Sequence, residues 1–190
     1  MKKNILGFIG LAIAMVLFTG CGDKEPEPNF HCTIDGTQAP EWVCGNDTVE
    51  GAITAVGSAP LSKLGQGFSR REALANGRSN LAQQIETLVK DKVEMFTRST
   101  GVGSAEVADK VSTQVSKQVA KVTLKGSKQI KYWQQPDTKD IYLLVSVPES
   151  SMNAEVKNAV KSSFKNDDAL WQQFQSKNAL ESLEKEFPSD

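Results

Sequence analysis

The residues best suited to chemistry in this 190-residue chain are three cysteines and a single histidine. Cys32 and Cys44, with eleven residues between them in HCTIDGTQAPEWVCG, make an even pair once Cys21 is committed elsewhere. Outside a reducing cytoplasm such a pair persists as a disulfide. It would close a short loop that turns Pro40, Glu41 and Trp42 toward the body of the domain, with a chain-entropy contribution of about 3 kcal/mol. Zinc is the competing reading, because His31 adjoins Cys32. A structural zinc takes four ligands, however, and the chain has no second histidine. Nucleophilic catalysis has no setting: serines are common, yet there is no G-x-S-x-G elbow, and the lone histidine sits beside the cysteine pair. Carboxylates are numerous, but no framed pair would hold its two pKa values apart. GVGS at 101–104 lacks the G-K-[ST] of a phosphate-cradling loop. The expectation is a protein with no catalytic residues, no cofactor and no metal.

Cys21 belongs to a different chemistry. MKKN places two lysines ahead of an apolar run from Ile5 to Phe18. That is the layout of a secretory signal, and the run is shorter than the roughly 20 apolar residues that a membrane-spanning helix needs. It ends in LFTGC with no A-x-A site. Leu17, Thr19, Gly20 and Cys21 resemble the lipobox of bacterial lipoproteins, with Phe18 a bulky neighbour. The resemblance implies that residues 1–20 are removed and that Cys21 carries lipid at the new N-terminus. Two or three acyl chains hold a domain on a bilayer, each buried methylene contributing about 0.8 kcal/mol, where one chain is marginal. Gly22, not aspartate, follows the cysteine, which favours the outer membrane with the domain facing the periplasm. Residues 21–30, including GDKEPEPNF, read as anchor and polar, proline-stiffened spacer. Lys2 and Lys3 leave with the signal, so the mature chain is mildly acidic and carries no basic footprint for nucleic acid.

Positioning these residues requires a core, and the length after the signal is enough for one domain. From Val49, VEGAITAVGSAP reads as a first strand that turns away at Gly57, Ser58, Ala59 and Pro60. Leu74, Leu81, Ile85, Leu88, Val93 and Phe96 then recur at helical spacings. Gly77 inside that helix costs about 1 kcal/mol relative to alanine, and a strand packed closely against it is sufficient reason. The glycines after position 100 break the helix. Ser104 caps a second one with a valine stripe at 107, 111, 115 and 119, although a strand reading opens from Val119. KVTLKGSKQIKYWQQ and IYLLVSVP flank PDTKD as two antiparallel strands, with Gly126 a bulge or bend and Pro148 the stop. A third helix opens around Ser151, and an amphipathic tail follows KNDD. The expected fold is α/β (α+β): a small antiparallel sheet of about three strands packed against two or three helices, in the order β-α-α-β-β-α. Residues 31–48 would be the disulfide-closed loop, 49–165 the domain and 166–190 a C-terminal helix.

The candidate interaction residues follow from these elements. Tyr132 and Trp133 are neighbours in a strand and so face opposite ways; one becomes core, and the other is free to stack on a sugar or small envelope ligand. Trp42 sits in the cysteine loop. Arg78 either binds something or forms a salt bridge to a nearby acid. Leu170, Phe174 and Leu183 give the tail an apolar stripe that covers the sheet or docks on a second copy or another envelope protein.

Pro40 and Trp42, ITAVGSA at 53–59, REALANGRSNLAQQI at 71–85 and LKGSKQIKYWQQPDTKDIYLLVSVP at 124–148 come in a set order. Together with the lipobox they resemble the bacterial lipoprotein family typified by the twenty-kilodalton outer-membrane lipoprotein of Helicobacter, which includes flagellar basal-disk lipoproteins. The resemblance covers residues 40–165. It implies a compact α/β domain, an outer-membrane anchor and a non-catalytic role, with rings or disks beneath the outer membrane in the flagellar members. Gly57, Ser58 and Ala59 match the family's strand end, Ala75 and Arg78 its helix, and Gly126 and Trp133 its hairpin. The cysteine loop and the tail after Phe164 depart from the pattern.

Overall fold

The computed structural model describes residues 31–46 and 49–188. The expected signal, the lipidation site Cys21 and the spacer lie outside the described residues.

Strands β1 (Thr33–Ile34) and β2 (Thr37–Gln38) form a minimal hairpin. A 3-10 turn at Glu41–Cys44 follows. β3 (Ala52–Ala59), β4 (Lys128–Gln134) and β5 (Ile141–Pro148) make the main antiparallel sheet in the order β3-β5-β4. The central strand, IYLLVSVP, is almost continuously apolar because both of its faces are covered. Ile141, Leu143, Val145 and Val147 face the helices, while Tyr142 and Leu144 face the disulfide loop.

Helix α1 (Gln66–Thr100) is 35 residues long, about 50 Å. Its buried side is a four-residue repeat, Ser69, Ala73, Gly77, Leu81, Ile85, Val89, Val93 and Thr97. At 3.6 residues per turn, each four-residue step advances the stripe by about 40°. The buried face therefore winds around the helix as its neighbours change. The small residues of the first half lie on the sheet; the larger ones of the second half enter a helical core with Val115, Val119, Met152 and Val160. Leu74 and Leu88, expected within the stripe, lie at its margin.

β3 and α1 approach each other closely at Gly57 and Gly77. A Cβ on Gly57 would overlap the Ala73 carbonyl and the Gly77 amide, and one on Gly77 would come 2.6 Å from a Val145 methyl. The expected reason for a glycine inside α1 is thus the observed one.

Helix α2 (Ala105–Thr123) starts at Ser104, whose side chain accepts from the Val107 amide at 3.4 Å. It continues through Val119 to Thr123, so the strand reading of that stretch is wrong. Val119, Ala120 and Thr123 stay on the buried side of the helix, and burial outweighs the β preference of valine and threonine. Gly126 is correspondingly not a bulge. It ends a 3-10 turn, Leu124–Gly126, and the register shift in β4 falls between Gln129 and Lys131.

Pro148 ends β5 and opens α3 (Glu149–Lys165). The expected C-terminal helix is two short ones. Asp167 caps α4 (Asp168–Ser176), accepting from Ala169 and Leu170 amides at 3.0 Å, and Asn178 in the left-handed region breaks the chain before α5 (Ala179–Glu186). Phe174, Leu183 and Phe187 are fully buried in the helical core, where Phe174 stands 5.2 Å from Phe164 and 6.2 Å from Phe96 between ring centroids.

Candidate functional site

The Cys32–Cys44 disulfide is present. It closes a cap that covers the sheet face opposite α1. Cys32, Ala39, Trp42, Val43 and Leu144 form its core, with Val56, Trp133 and Tyr142 packed around them. Trp42 is therefore a structural plug, buried as the loop geometry suggested, and not a free contact. His31 is exposed, and among the described residues no three metal-binding side chains gather.

Gln135 locks the cap to the β4–β5 turn. Its buried carboxamide accepts from the amides of Asp137 and Thr138 and donates to Thr37 Oγ1 at 3.2 Å, while Thr37 Oγ1 donates to Asp137 at 2.8 Å. Sequence reading gave Gln135 no role, because the cap residue it bonds, Thr37, lies about a hundred residues away along the chain.

The aromatic hairpin is largely filled. Trp133 packs on Tyr142 at 5.3 Å beneath the cap. Burial first, and then the charges of Asp140 and Asp35, raise the Tyr142 phenol above its ordinary value. Tyr132 faces the other way, accepts from Gln66 Nε2 at 2.8 Å and lies under the Arg70 guanidinium at 5.2 Å. Its ring keeps 40% exposure. Among the described residues Arg78 pairs with no acid: it donates to the Ser127 hydroxyl at 3.1 Å and carbonyl at 3.5 Å, tying α1 to the start of β4.

A groove of about 950 Å³ lies elsewhere, along β3, an edge strand. Trp42, Val43 and Gly45 form one wall; Asn80, Gln83, Gln84, Thr87 and Asp91 of α1 form the other. The edge is partly sealed by helix side chains. Asn76 donates to the Ser58 carbonyl and Asn80 to that of Val56, each at 2.8 Å. A four-residue helical step rises about 6 Å and a two-residue strand step about 6.6 Å, so consecutive turns of α1 meet alternate residues of β3. Gln84 continues the series opposite Thr54, inside the groove. The signal was present as amides at 76, 80 and 84, but it identifies an edge seal only once β3 is known to lie beside that face.

Leu170 is partly buried, and Phe174 and Leu183 are core, so the tail's stripe is spent inside the molecule. Lys157, nearly buried, and Lys161 donate to the Glu184 carboxylate at 2.7 and 3.1 Å. Those bonds hold Glu184 below the usual carboxylate range. Among the described residues no helix is long and apolar enough to cross a membrane.

The sheet is covered on both faces, one of its edges, β3, lies in a groove, and the polar side chains described above hold elements together. The chain belongs to the LPP20 lipoprotein family, whose model matches residues 40–148. That span runs from the cap's 3-10 turn to the end of β5. No curated protein matches the chain closely enough to count as a relative. Members of the family are non-catalytic lipoproteins, and the role of this chain is that of a non-catalytic, lipid-anchored outer-membrane lipoprotein.

Proposed function

We propose that this protein is a structural or assembly component of the cell envelope, tethered through acylated Cys21, facing the periplasm and associating with further copies of itself. A flagellum-associated assembly is the setting that the family resemblance suggests. In this reading residues 1–20 are the signal, 21–30 the anchor and spacer, 31–48 the disulfide-closed cap and 49–165 the lipoprotein domain, with 166–190 folded onto it. The observation that carries the reading is the family match across cap, sheet and α1. Light scattering on the mature chain from Gly22 onward tests self-association. Discrete large species that grow with concentration are expected, and a strict monomer at high concentration would refute it. Cys21→Ala tests the tether: labelled fatty acid and membrane fractionation should both be lost.

A second reading, a module that holds an envelope glycan or small ligand, draws support from the exposed Tyr132 ring and from the amide-lined groove beside β3. Muropeptide titration would separate the two, with Tyr132→Ala perturbing a hairpin site and Gln84→Ala a groove site.

A further inference from the structure

One apolar surface is not absorbed by the core. Between β3 and α1 the loop places Leu61, Leu64 and, at the first turn of the helix, Phe68 in solvent, with Leu64 exposed to 76%. Met95, Ile130 and Leu180 are exposed elsewhere, whereas here three large apolar side chains fall within two turns' length of chain and mark a contact surface.

The loop is held in this arrangement. The Ser62 amide donates to the buried Ser69 hydroxyl at 2.7 Å, the Leu64 amide to Ser62 Oγ at 3.1 Å, and the Gly65 amide to the Ser62 carbonyl at 3.0 Å. Gly65 has φ of +93°, a conformation glycine adopts at little cost. Gln66 ties the first turn to Tyr132 and to Gln134 at 3.3 Å. The leucines thus project from a braced turn.

The charges around the patch are unequal. Lys63 and Arg71 are exposed beside it in the chain, with Glu72 the neighbouring acid, and Arg71 lies over the Phe68 ring at 5.9 Å; Arg70 turns to Tyr132 and Gln129. The acids at this end of the sheet sit on the cap side: Asp137 bonds Thr37, and Asp140 and Asp35 act on Tyr142. Apolar side chains flanked by an exposed lysine and arginine suit the boundary between acyl chains and anionic headgroups.

The tip of the β1–β2 hairpin lies at the same end of the sheet. The chain enters through β1, whose partner β2 is bonded to the β4–β5 turn through Thr37 and Asp137, and Gln134 Nε2 links that turn, at the Lys139 carbonyl, to the strand that holds Gln66. Nine residues lie between Cys21 and His31, a reach of at most about 35 Å.

We propose that Leu61, Leu64 and Phe68, with Lys63 and Arg71, form a membrane-docking surface that seats the domain on an anionic phospholipid bilayer. It rests on the tethered-lipoprotein reading for its setting, but its chemistry does not require the acyl chains. The test therefore uses the mature chain from Gly22 without lipid, floated with vesicles of phosphatidylglycerol and phosphatidylcholine and with phosphatidylcholine alone. Binding to the anionic vesicles, weakened by salt, is expected. Leu64→Asp should reduce it about tenfold or more, and Lys63→Glu with Arg71→Glu should abolish the preference for phosphatidylglycerol. These side chains are exposed, and an unchanged circular dichroism spectrum confirms the fold of each variant. Partition unaffected by Leu64→Asp, or no flotation at millimolar lipid, overturns the proposal. Self-association lost in Leu64→Asp without vesicle binding would assign the patch to a protein contact instead. Fatty-acid labelling of Cys21 is read separately, so the tether and the docking surface fail independently.

Discussion

At the scale of single residues, the tightest constraint is the contact between Gly57 and Gly77. A methyl on Gly57 has only backbone to push against, so Gly57→Ala should cost more than about 3 kcal/mol. Gly77→Ala meets the end of the Val145 side chain, which can shift, and alanine recovers about 1 kcal/mol of helix propensity; a net loss of about 1–2 kcal/mol is expected. Urea denaturation of both variants checks the order. The cysteine pair acts more locally. Replacing Cys32 and Cys44 with serine should remove about 3 kcal/mol of closure from the cap. Trp42 emission should shift toward the red while the helical circular dichroism signal persists, because α1 to α3 share no core residue with the cap.

At the scale of elements, the C-terminal pair α4 and α5 is a lid on the helical core and not an interaction stripe. Phe174→Ala should destabilise the whole domain by about 3–5 kcal/mol, measurable by thermal or urea unfolding. Truncation after Lys165 would expose that same core. Lost association in a truncated chain would then report unfolding, and surface substitutions such as Leu64→Asp are the cleaner probe. The attachment of α5 also carries a pH dependence. Glu184 is held below its ordinary pKa by bonds from Lys157 and Lys161, so its contribution is present above the unfolded carboxylate value of about 4.3 and is lost as pH falls through the lower folded value. Amide exchange in α5 should therefore accelerate under acid, and Glu184→Gln should remove that dependence.

At the scale of the whole molecule, the proposed tether and docking surface together would give the domain a defined orientation on its bilayer. Cys21→Ala should release the protein from the outer-membrane fraction, whereas Leu64→Asp on the acylated chain should leave fractionation intact and change only the proximity of the domain to lipid, read by headgroup crosslinking. Much of this architecture was legible in the chain alone. The cysteine pair, the strand–turn–strand run from Lys128 to Pro148 and the break at Gly101 to Ser104 are local signals whose meaning depends on neighbours a few residues away. Local chemistry suffices for them because turns, caps and two-residue alternation are short-range properties. The sheet order β3-β5-β4, the winding stripe of α1, the helical state of Val119 to Thr123, the burial of Phe174 and Leu183 and the seal of Asn76 and Asn80 on β3 were decided only by tertiary structure. In each, the deciding partner lies far along the chain, and a side chain that is apolar or amide-bearing in the sequence becomes core, seal or exposed surface according to what is packed against it.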